Sequence, residues 1–187
     1  MKPPRPPEEV LRRVLKFSRL NGWSVAVFAG LSTLVALAFG EPMGIAVSLL
    51  VTLGGALEVH GYRLLKRRNI DGLRWLIRSQ LVVLGVIGVY AVSRLASFDE
   101  GTVREAFTSD MRASLSDLGL SLEDILPLVR RTFLLLYGGV LAVTLLYQGG
   151  LALYYHRRRP AIEIALQPPP IVPAVVAPTS PPDDYLI

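Results

Sequence analysis

No cysteine occurs among the 187 residues, so a disulfide, a thiolate metal centre, an iron–sulfur cluster and a cysteine nucleophile are all excluded. Histidine is nearly as scarce: His60 and His156 are the only two, too few for a histidine-rich metal site. Charge is thin as well. Charged residues make up 19% of the chain, below the roughly 25% of an ordinary soluble domain. Hydrophobic residues reach 51% and mean hydropathy is +0.44. Catalytic signatures are missing too. There is no H-E-x-x-H, G-x-S-x-G or G-x-x-x-x-G-K-S/T run, no intramembrane aspartate pair, no potassium-filter sequence and no arginine-repeat voltage sensor. No stretch carries a family signature. A soluble globular enzyme and a wholly disordered chain are both excluded.

What the chain does have is long apolar runs. A helix needs about 20 mostly apolar residues to cross the hydrocarbon core of a bilayer, and four segments qualify. Residues 132–155 hold 24 residues without a formal charge, and 23–40 hold 18, bounded by Asn21-Gly22 and Glu41-Pro42 as breaks. Residues 43–65 are apolar until Glu58. Residues 73–96 have a short apolar centre, completed if Arg74, Arg78 and Arg94 snorkel to the interfaces. The expected fold is all-α: a polytopic membrane protein built as a four-transmembrane-helix bundle.

Basic residues are distributed unevenly about these spans. Residues 1–22, the connection between the second and third spans, and the run Arg157-Arg158-Arg159 together carry 15 Lys/Arg. The other side carries five, Arg94 at the end of the third span and four in the loop 97–131, beside seven acids from Asp99 to Asp124. The excess of positive charge on cytoplasmic flanks then puts both termini inside, and the cytoplasmic membrane of a bacterium is the expected location. The same asymmetry accounts for LLKRRN and YHRRRP, so no nucleic-acid partner is expected. Ala36-Leu37-Ala38 could serve as a signal-peptidase site, but the 22-residue lead with Glu8, Glu9 and many prolines argues against it.

Outside the spans the reading is as follows. Residues 1–22 comprise a Pro-rich start and a basic amphipathic helix, with Val10, Leu11, Val14, Leu15, Phe17 and Leu20 at helical spacing, expected to lie on the leaflet. In the loop 97–131, Thr102-Val-Arg-Glu105 fits a capping box, and a stripe from Val103 to Leu115 predicts one short helix on the outer membrane face, stopped at Gly119. Pro127 falls near the start of a last helix opening at about Asp124. Residues 156–187 read as a Pro-rich cytoplasmic tail, polyproline-like or disordered, with eight prolines after residue 159.

In lipid, helices associate through small residues and polar contacts, because the hydrophobic effect does not act between them. Each span shows a small-residue seam: Gly30 on the first, Gly44 and Gly55 on the second, Gly85 and Gly88 on the third, and Gly138, Ala142 and Gly149 on the last. Glu58 stands apart. A carboxylate in a span costs on the order of 2.5–3.5 kcal/mol at the centre and less nearer the interface. Its helical phase sets it with Gly55 and Ser48, on the packed side. It is a candidate proton or cation site or inter-subunit contact, or it pairs with Arg63, Arg74 or Arg78. His60 and His156, at the ends of two spans, are weak candidates for haem or metal ligation, and interfacial histidine is the plainer reading; no metal or cofactor is expected. The expected function is that of a non-enzymatic accessory, scaffold or assembly subunit, with the lipid bilayer and either protein partners or further copies around it. The alternative is a small oligomeric transporter or channel using Glu58.

Overall fold

The structure, a computed structural model, describes residues 6–168. Among them every element is helical and no strand occurs. In chain order these are α1 (Pro7–Ala38), α2 (Pro42–Lys66), α3 (Asp71–Ala96), the short α4 (Glu100–Ala106) and α5 (Ser109–Asp117), α6 (Leu122–Thr144), a five-residue π turn (Leu145–Gly149) and α7 (Gly150–Leu166). Since α6, the π turn and α7 run on without a break, they form one rod of 45 residues. Four helices, α1, α2, α3 and this rod, are long and apolar enough to cross a membrane.

Three boundaries differ from those read in the sequence. Asn21-Gly22 does not break a helix; α1 passes straight through it. Both residues are buried: Gly22 fits where a Cβ would lie 3.1 Å from Val59, and Asn21 finds a side-chain partner on α2. Interhelical contact thus overrides a local helix penalty of about 1 kcal/mol for glycine. The basic amphipathic stretch is therefore continuous with the first span instead of forming a separate helix. At the other end of the chain, helix persists from His156 to Leu166 despite Pro160, because Ile162 and Ala165 bury in the core. The Pro-rich residues 169–187 lie outside the described residues.

In the loop, two helices replace the one expected. Phe107 adopts an extended conformation, and Thr108 starts α5 by accepting from the Met111 N–H at 3.3 Å. The cap of α4 is Asp99, not Thr102; its carboxylate accepts from the Thr102 N–H at 2.8 Å. Gly119, at φ 70°, follows the end of α5 as a left-handed glycine after a helix should. The last helix opens at Leu122, on a capping box between Ser121 and Asp124, which leaves Pro127 inside the helix.

The apolar core sits at one end of the bundle, where the basic segments converge. Val10, Leu11 and Val14 of α1 pack with Leu65 of α2, Leu73 and Leu76 of α3, and Tyr155 and Ile162 of α7. Away from that end, the buried positions become small or polar: Ala29, Thr33 and Ala36 on α1, Ser48, Gly54 and Gly55 on α2, and Ser79 and Gln80 on α3. Thr33 donates to the Ser48 hydroxyl across α1 and α2 at 2.9 Å. Large apolar side chains there point outward, among them Phe28, Val89, Leu135 and Leu146. Small residues inside and large ones outside is the arrangement lipid favours. At the far end α3 and α6 are joined by an aromatic ladder, Phe98–Phe133–Tyr137–Tyr90, with the Arg94 guanidinium over Tyr90.

Candidate functional site

Glu58 lies two helical turns before the end of α2, on the face that meets both α1 and α3. It is 2% exposed. None of Arg63, Arg74 and Arg78 reaches it; Arg74 pairs with Asp71, and Arg78 lies over the Trp75 ring. Its partners are neutral instead. The Asn21 amide donates to Oε2 at 2.6 Å, and the Tyr155 hydroxyl donates to Oε1 at 3.0 Å. Tyr147, on the π turn, donates in turn to Asn21 Oδ1 at 2.8 Å. Four side chains from α1, α2, the π turn and α7 thus form one chain of hydrogen bonds.

Gln80 of α3, 1% exposed, borders the same carboxyl group, and its Oε1 has no partner. The two donors from Asn21 and Tyr155 suit a carboxylate, which only accepts.

The small-residue positions divide into two groups. Gly55 is a true crossing point: a Cβ there would stand 2.6 Å from the Ala26 backbone nitrogen. At Gly44 the neighbours would be the Glu41 carboxylate at 2.9 Å and Ala36 at 3.3 Å. By contrast, a Cβ on Gly30, Gly85, Gly138 or Gly149 would meet nothing within 4 Å, one on Gly88 would only graze Leu141, and Ala142 is exposed. The tightest approach of backbone to backbone is one that spacing alone did not single out. Gly61 and Gly72 face each other across the α2–α3 hairpin, each with the other's carbonyl where its Cβ would be, at 2.8 and 2.5 Å. A signal was there to read for Gly61, which lies inside the span 43–65, where glycine is costly without a packing reason.

His60 and His156 are both exposed, and His60 stands edge-on to Trp75. Among the described residues, no group of three or more His, Asp or Glu is placed to hold a metal ion.

Beside the Glu58 cluster a crevice of about 900 Å³ opens between α1, α2, α3 and α6. Asn21, Ser24, Tyr147 and Gln148 form its polar floor, and Phe39 and Glu41 stand at its far end. It exists because α6 packs mainly on α3, whereas the rod meets α1 through α7 and the Tyr147–Asn21 hydrogen bond, so the rod diverges from α1 away from the basic end. No protein-family model, curated protein or solved structure matches the chain.

Proposed function

We propose that this chain is a non-enzymatic integral membrane protein that acts as an accessory or assembly subunit of a larger membrane complex. The observation that carries this reading is the poor internal packing of the fourth rod. Of its apolar window only 11% is buried, against 28% in each of the other three long helices. Gly138, Ala142 and Gly149 lie on this rod without a neighbour close enough to use them. Small residues let helix backbones approach closely in lipid, so the rod offers a face that another helix can occupy.

The charge distribution supports an N-in, C-in topology in the cytoplasmic membrane of a bacterium. Basic residues of α1, the α2–α3 connection and α7 converge on one end, as cytoplasmic flanks do. The α4–α5 hairpin then lies outside, resting on or above the outer leaflet.

Extraction in a mild detergent from its own cells, followed by native mass measurement, tests this proposal. A mass containing other polypeptides is expected, and Gly138→Leu with Ala142→Leu should release them without loss of fold. A lone monomer would overturn the reading.

A second reading is favoured by the Glu58 cluster: a small transporter moving protons or cations through that carboxyl group. Glu58→Gln should then abolish flux in reconstituted vesicles while the protein remains folded. Flux equal to the parent protein's removes Glu58 from any such mechanism.

A further inference from the structure

Gln148 is the residue that neither reading uses. It lies on the π turn, 7% exposed, at the floor of the crevice, and its Oε1 has no hydrogen-bond partner. π turns recur at functional sites because the widened ladder presents side chains that a regular helix would not. The Gln148 Oε1 is closed off from solvent, and the side chain borders the crevice through its remaining surface.

We propose that the crevice binds an uncharged amphiphile with one long apolar chain and a hydroxyl-bearing head, its head on the floor and its chain running toward Phe39. The size fits. A volume of about 900 Å³ falls within the roughly 300–1,000 Å³ of small-molecule sites. From Asn21 to Phe39 along α1 the crevice extends about 27 Å at helical rise.

Polarity selects the head group. Tyr147 and Ser24 spend their hydroxyl protons on Asn21, at Oδ1 and at the main-chain carbonyl, which leaves both oxygens free to accept. Gln148 adds amide N–H groups that can donate, its Oε1 being closed off, so the floor offers both acceptors and a donor. A hydroxyl does both, and so matches this floor better than a ketone or an ether. Anionic heads are disfavoured. Among the described residues lining the crevice there is no Lys or Arg, and the one charged group is Glu41, so a phosphate or carboxylate would be buried unpaired. The walls are apolar, with Phe28, Val35, Val51 and Val83 contributing, as a hydrocarbon chain requires.

The test uses the full chain in phosphatidylcholine nanodiscs and a monoacylglycerol carrying a photoactivatable diazirine in its chain. Crosslinks are expected on α1 between Phe28 and Phe39 and on α6 near Val140, displaced by monoolein but not by oleate or hexadecane. Gln148→Leu, which removes an unpartnered amide and so keeps the fold, should weaken monoolein competition about three- to tenfold. Val140→Trp, which fills the crevice, should abolish labelling, and Leu135→Trp on the exposed face should leave it unchanged. Labelling spread evenly over the lipid-facing surface overturns the proposal. So does equal competition by oleate, insensitivity to both crevice variants, or displacement of the probe by a second copy of the chain at higher protein-to-lipid ratio.

Discussion

Asn21 Nδ2 and Glu58 Oε2 lie 2.6 Å apart across the α1–α2 interface, joining residues 37 positions apart in the chain. Each explains the other. The amide sits where a helix break was expected, and the acid sits where an arginine partner was expected. Together they let α1 run unbroken and let a carboxyl group be buried with no positive charge beside it.

Removing Asn21 alone should be the worst change at this pair. Asn21→Leu leaves Glu58 buried with one donor fewer, at a cost of about 1–3 kcal/mol. Adding Glu58→Leu should recover only part of that loss: it removes the unpaired carboxyl but also takes the acceptor from the buried Tyr155 hydroxyl. Reversible unfolding of the four proteins of the cycle in detergent gives the coupling energy. Strictly additive losses would show that the hydrogen bond contributes nothing.

Glycines that look alike in sequence should respond in opposite ways. Gly72→Ala drives a Cβ to 2.5 Å from the Gly61 carbonyl oxygen and the Leu65 amide nitrogen. Overpacking of that kind costs about 1–3 kcal/mol and here has backbone on both sides. Gly138→Ala and Gly30→Ala add a methyl group to open space, and should leave monomer stability unchanged or slightly raised through better helix propensity. Thermal unfolding of the three variants separates the two groups.

The absence of native cysteine makes topology directly measurable. Ser116→Cys on α5 should react in intact cells with a membrane-impermeant maleimide, whereas Arg159→Cys on α7 should react only after permeabilisation. The reverse pattern would invert the proposed orientation, and equal reactivity of both would place the two residues on one side.

Acid should fray the loop at α4 first. The Asp99 carboxyl is held below the usual aspartate value, chiefly by the Thr102 backbone N–H and then by the Thr102 hydroxyl. A depressed native value means that the cap stabilises α4 fully above the ordinary aspartate range and is lost as pH falls through the lower, folded value. Hydrogen exchange at Thr102 and Val103 should therefore accelerate in strong acid, and Asp99→Asn should flatten that dependence while retaining a weaker cap. Equal acid sensitivity in both proteins would exclude the carboxylate as its source.

Hydropathy and charge by themselves determined that the chain is helical, that four stretches are long and apolar enough to cross a bilayer, and that one end of the bundle is basic. Those features are local. In lipid each helix must satisfy its own backbone hydrogen bonds, so a span is legible from about 20 consecutive residues without knowing its neighbours. Tertiary structure alone decided what Glu58 touches, that Gly61 and Gly72 rather than Gly138 and Gly149 carry the close contacts, and that the helix runs on past His156 to set Ile162 and Ala165 in the core. Helical phase put Glu58 on the packed side of α2 but could not say that Asn21 and Tyr155 would face it. The partner of a buried polar group, and whether a glycine meets another backbone or open space, depend on how helices distant in sequence cross. Because lipid supplies no hydrophobic drive between spans, those crossings are settled by a few small and polar side chains meeting in three dimensions.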